Sequence, residues 1–135
     1  MKATLRKTHL FTGLILLVIF PLTGAYMRYR IPHLMEQSDR LRFSMRGNHV
    51  YILFSGLIHL ALGVYLRSMS AKVLKRLQTV AGALLIQASG ILVAGFFYEP
   101  KSGLDRPVTL IAVVMTLVGV LLHFVCALLS KEESA

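Results

Sequence analysis

The sequence predicts an all-α integral membrane protein: an antiparallel bundle of four transmembrane helices with a short interfacial amphipathic segment in the first loop. Three observations lead there. Of the 135 residues, 56% are hydrophobic and the mean hydropathy is +0.67, where an ordinary soluble domain is about 45–50% apolar. The apolar residues gather into four runs, 9–27, 49–66, 77–98 and 107–129, each close to the ~20 residues needed to cross a hydrocarbon core. Every Lys, Arg, Asp and Glu falls outside those runs, as it must where an unpaired charge has no water to solvate it. Residues 1–135 therefore form one membrane domain.

The first run, HLFTGLILLVIFPLTGAYM, follows Lys2, Arg6 and Lys7. It is longer than the ~7–15 residues of a signal-peptide core and no small-x-small site follows it, so it reads as a retained span. Pro21 lies inside it, which membrane helices tolerate when neighbours satisfy the freed carbonyl. From Arg28 to Asn48 the chain is polar and arginine-rich, yet Ile31, Leu34, Met35, Leu41 and Met45 roughly follow helical spacing. That pattern predicts an amphipathic stretch lying in the interface with its arginines toward headgroups. His33 reads as an exposed loop residue.

The second run, HVYILFSGLIHLALGVYL, carries two of the five histidines, His49 and His59. A short basic turn with Lys72, Lys75 and Arg76 leads to the third, which is rich in small residues. There Gly90 and Ala94 form a small-xxx-small pair suited to close helix packing, and Gln87 is placed to hydrogen-bond across helices. The turn-forming stretch EPKSGLDR precedes Pro107, well suited to the first position of a fourth helix. On that helix Thr116, Gly119, His123 and Cys126 share one face.

The net charge of +9 sits at the ends of the runs. It suits anionic headgroups, at about 1 kcal/mol per basic residue near the surface, and nucleic acid is excluded as a partner. The expected surroundings are the lipid bilayer of the inner (cytoplasmic) membrane. Four spans put both termini on one side; basic residues divide almost evenly between the two sides, and the weight of the first helix places the termini in the cytoplasm. The single Cys126 excludes an intrachain disulfide.

Buried histidines are the main chemical signal. His59 precedes Arg67 by about 12 Å and His123 precedes Ser130 by about 10 Å at 1.5 Å per residue. Spans two and four run in the same direction, so the two rings lie at matching depth across the bundle core. Paired imidazoles from facing helices can hold a haem iron, and Gly56, Gly63 and Gly119 would leave room for the macrocycle. His123 with Cys126, and Met115 on the same helix, also suggest a partial copper or zinc site. No acidic residue lies in a span, which disfavours cation export driven by an intramembrane carboxylate. No nucleophile–base pair or phosphate loop is present.

Three stretches carry a family resemblance: His9 at the mouth of the first span, SDRLRFSMRGNH leading to His49, and GVLLHFVCALLSK containing His123. With these the chain resembles the small bacterial four-helix di-haem b-type cytochromes that oxidise quinol. The resemblance implies haem b as cofactor, quinol as partner, and His9 paired with His123. It also implies a partner for His49 at the start of the fourth helix, where this chain has Arg106, Pro107, Val108 and Thr109. Depth matching and resemblance thus offer His123 two partners, His59 and His9, and Arg46 or Arg67 could pair with haem propionates. The contrasting expectation is a non-catalytic accessory or assembly subunit, joined through its small-residue faces to other membrane subunits or to itself.

Overall fold

The structure is a computed structural model that describes residues 2–31, 38–67, 69, 71–99 and 106–132. It is all helical among these residues: α1 (Lys2–Arg30), α2 (Asp39–Tyr65), α3 (Lys72–Tyr98) and α4 (Pro107–Glu132). All four are long and apolar enough to cross a membrane.

Each helix extends beyond its apolar run. α1 continues through Pro21. α2 begins ten residues before His49, because Ser38 caps it by accepting from Leu41 N at 3.4 Å and Asp39 complements the positive end of the helix dipole. The expected interfacial segment is therefore corrected: Arg28–Arg30 close α1 and Asp39–Asn48 form the first turns of α2, with Met45 buried in the main core. The part of that segment over 32–37, including His33, lies outside the described residues. α4 starts at Pro107 as its missing N–H favours. Glu99, just past α3, accepts from Thr109 N at 3.0 and 3.1 Å through its two carboxylate oxygens and so serves as the cap of α4.

α1 packs chiefly on α2, and α3 on α4, while the two pairs touch more sparingly. Within the first pair, partner numbers fall as α1 numbers rise: Leu10 meets Gly63, Gly13 meets Leu60, Leu16 meets Gly56 and Gly24 meets His49. The backbones nearly touch. A Cβ built at Gly13 would lie 2.8 Å from Leu60 Cγ and 2.9 Å from Leu60 N. In the second pair Gly119 receives Leu85, 2.8 Å from where its Cβ would be, and Gly95 approaches Thr109. Glycines that were expected to make room for a cofactor instead seat leucines of the neighbouring helix.

The core joins the pairs through Leu16, Met45, Ile52, Leu92, Phe96 and Ala112, with a smaller cluster of Met69, Leu74 and Cys126 at the other end. Outside, the molecule is apolar: Phe11, Val18, Phe54, Leu110, Leu117 and Phe124 are all exposed. Inside are His9, Asn48, Ser55, His59, Ser89 and Glu99. A polar interior under an apolar coat is the arrangement lipid as solvent favours. Two expectations for α3 reverse. Gln87 is on the outer face rather than bonded across helices, and Gly90 has nothing within 4 Å of a built Cβ; the inward face of α3 is that of Ala81, Leu85, Ala88, Ser89 and Leu92.

Candidate functional site

Three histidines from three helices meet in the interior. His9 of α1 and His59 of α2 are 0% exposed and His123 of α4 is 7% exposed. Ring centroids lie 4.9 Å apart for His9 and His59 and 5.8 Å apart, edge-on, for His9 and His123. His9 reaches this level because α1 begins at Lys2, which places His9 two turns into the helix rather than at its mouth. Both partners considered for His123 are thus at hand.

Their hydrogen bonds differentiate the three rings. His59 Nε2 faces Ser89 Oγ at 2.9 Å and Leu85 O at 3.4 Å. Leu85 O can only accept, and it already takes the Ser89 hydroxyl at 2.9 Å, so these partners assign the His59 proton to Nε2. His59 Nδ1 then carries a lone pair. It lies 2.7 Å from His9 Nδ1, which must therefore be the donor of that bond. A neutral His9 protonated on Nδ1 has a bare Nε2, and that atom is buried without a partner. Both ring nitrogens of His123 are buried and unpartnered as well. The chain has built one imidazole whose orientation and tautomer are set by a neighbour, and has left its outer nitrogen open.

Gly82 of α3 stands directly against that nitrogen: a Cβ there would lie 3.1 Å from His9 Nε2. His9 and Gly82 belong to different helix pairs, so the open nitrogen points across the looser interface. Ser55 extends the network, with its hydroxyl 2.7 Å from Ser89 Oγ. Arg6, one turn before His9, donates to Gly63 O at 3.2 Å and Val64 O at 3.1 Å, satisfying last-turn carbonyls of α2 and fixing α1 on α2 at the histidine level.

His49 is placed elsewhere. Its Nδ1 is 2.8 Å from Thr23 Oγ1, its ring stacks on Phe20 at 4.1 Å, and Gly24 lies against it. The start of α4, where the resemblance looks for its partner, is occupied by a different polar group: Arg106 and Thr109 both donate to Asn48 Oδ1. The residues that suggested a partial copper or zinc site are His123 and Cys126 of α4, with Met115 on the same helix. Cys126 is buried with its thiol toward Leu74 O at 3.8 Å, and among the described residues no three His, Cys, Asp or Glu side chains are arranged to hold a bare metal ion.

Sequence reasoning missed Ser55, Ser89 and Gly82 as members of the histidine site. Ser55 had a signal, standing one turn before His59 on the same helix face; Ser89 and Gly82 had none, because only packing of α3 on α2 and α1 brings them near. Comparison with known protein families, with curated proteins and with solved structures finds no match to this chain.

Proposed function

We propose that the chain is a four-span antiparallel bundle of the cytoplasmic membrane that holds a b-type haem between His9 and His123 and passes electrons, with quinol in the bilayer as the donor. What supports this reading above all is the open Nε2 of His9, held in a ligand's tautomer by the His9–His59 hydrogen bond. A ligating histidine usually gives its other ring N–H to an acceptor that orients it, and here His59 is that acceptor. His123, with both nitrogens unpartnered, supplies the second ligand from the other helix pair. Gly82 fits the same purpose, since any side chain there would press on the ligand nitrogen.

A haem held there supplies a one-electron couple. The protein's own residues do the rest: His59 orients His9, Ser89 and Leu85 O orient His59, and the apolar coat excludes water. The resemblance to di-haem cytochromes extends to one haem only, because the start of α4, where a partner for His49 would stand, carries Arg106 and Thr109 bonded to Asn48.

One observation favours a second reading, a non-catalytic subunit of a larger membrane complex. Gly13, Gly56, Gly63 and Gly119 are filled by leucines of adjacent helices, and the outer face of α3 carries Gln87 and Gly90. A dithionite-reduced minus oxidised visible spectrum of the detergent-purified protein separates the two. The haem reading expects a sharp b-type alpha band that is lost in His9→Ala and in His123→Ala and kept in His49→Ala. A flat spectrum from cells supplied with haem would overturn it and leave the accessory role.

A further inference from the structure

A second buried polar cluster closes the opposite end of the bundle, where α2 and α4 begin and α3 ends. Asn48 precedes His59 by eleven residues, about 16 Å along α2. At its centre the Arg106 guanidinium donates to Asn48 Oδ1 and, at 3.4 Å, to Ser44 O and Thr109 Oγ1. The Thr109 hydroxyl stands between two acceptors, Asn48 Oδ1 at 2.9 Å and the Glu99 carboxylate, and has one proton to give to either.

An arginine only donates, so the Asn48 amide must turn its oxygen to Arg106 and its Nδ2 away. That Nδ2 has no partner, and neither do Arg106 Nε or Ser44 Oγ, although all three atoms are buried. Asn48 is 0% and Ser44 2% exposed. Buried donors without acceptors are rare and call for an explanation; here three of them belong to one connected cluster, and all are met by an oxygen that only accepts.

Charge narrows that oxygen to an anionic one. The exposed Arg28, Arg30, Arg40 and Arg46 surround this end, and the Glu99 oxygens are engaged at the first turn of α4. Position narrows it further, because Asn48 and Arg106 stand at the last polar positions before the apolar runs of α2 and α4, the level of lipid phosphates. We propose that Ser44, Asn48 and Arg106 form a binding site for a phosphate oxygen, supplied by an anionic phospholipid headgroup or by inorganic phosphate.

Native mass spectrometry of the detergent-solubilised full chain tests this with phosphatidylglycerol, phosphatidylcholine and inorganic phosphate as probes. One phosphatidylglycerol is expected to stay bound at collision energies that strip phosphatidylcholine, and retention falls several-fold in Ser44→Ala and Arg106→Gln. Inorganic phosphate that displaces the lipid and leaves its own adduct would assign the same site to free phosphate; failure to displace it assigns the site to the headgroup. Equal retention of both lipids, or retention unchanged in both variants, overturns the proposal and leaves only the exposed arginines as a lipid contact. Ser44→Ala removes a hydroxyl that holds nothing else, so it decides the matter if Arg106→Gln loses its helical circular dichroism. None of these measurements depends on haem.

Discussion

His9 and His59 are joined Nδ1 to Nδ1 at 2.7 Å, and that bond makes the two rings unequal. His59 is enclosed by partners at both nitrogens, while His9 spends its proton on His59 and keeps an open Nε2. The two roles separate in mutants. His59→Ala is expected to weaken haem binding by about 10- to 100-fold, the usual cost of losing the group that orients a ligand, without abolishing the spectrum. His59→Gln, whose amide oxygen can accept the His9 proton, recovers part of the loss. Haem titration of the apoprotein measures both; a spectrum lost as completely in His59→Ala as in His9→Ala would make His59 the ligand instead.

Gly82 provides a test that leaves the histidines intact. In Gly82→Ala the new methyl lies 3.1 Å from His9 Nε2 and 2.9 Å from Leu5 Cδ1. The leucine tip can swing aside, but the imidazole, tied to His59, has little freedom to do so. Haem content should fall sharply while helical circular dichroism and thermal stability change little. Normal haem content in Gly82→Ala would show that His9 does not use this nitrogen.

Two other glycines should behave oppositely. In Gly63→Ala the methyl meets Leu10 N at 2.9 Å, a backbone atom that moves only if α1 retreats from α2, so a loss of about 1–3 kcal/mol is expected from overpacking. Gly90→Ala meets nothing and should stay within about 0.5 kcal/mol of the parent. Unfolding in mixed micelles with increasing dodecyl sulfate compares them directly. Equal effects would mean that the α1–α2 contact is not the tight one.

Glu99 holds the first turn of α4 through Thr109 N. Glu99→Ala leaves that N–H and the Thr109 hydroxyl less satisfied in a buried place and should cost about 1–3 kcal/mol. Hydrogen exchange should quicken first at the amides of residues 107–110, ahead of the rest of α4. Uniform quickening along α4 would argue that Glu99 does not act as its cap.

Much of this fold was legible in the sequence because lipid imposes a simple rule: twenty apolar residues without charge must be helical to satisfy their own backbone. That rule located four helices and the start of α4 at Pro107. It did not reveal that α2 reaches back to Asp39, since the Ser38 cap and the buried Met45 act through local hydrogen bonding and tertiary packing, which hydropathy does not register. That Thr116, Gly119, His123 and Cys126 share one face of α4 also followed from spacing; the structure turns that face inward, burying Gly119, His123 and Cys126 and half-burying Thr116. The positions of Gln87 and Gly90 did not follow from it, because the rotation of a helix uniformly rich in small residues is set by what packs against it.

The histidine site divides along the same line. Two rings at matching depth, His59 and His123, were a matter of counting residues along helices whose rise is fixed, whereas His9, expected at the mouth of its span, joins them because α1 begins at Lys2. Which ring bonds which was settled only when α1 and α2 came into backbone contact at Gly13 and Gly63, bringing His9 Nδ1 to His59, and when α3 offered Ser89 and Leu85 O to the far side of His59. Sequence by itself determined four helices long and apolar enough to cross a membrane, through local composition; the tertiary structure decided the direction of each proton and the nitrogen left open, because those depend on distances of a few ångströms between residues up to fifty positions apart.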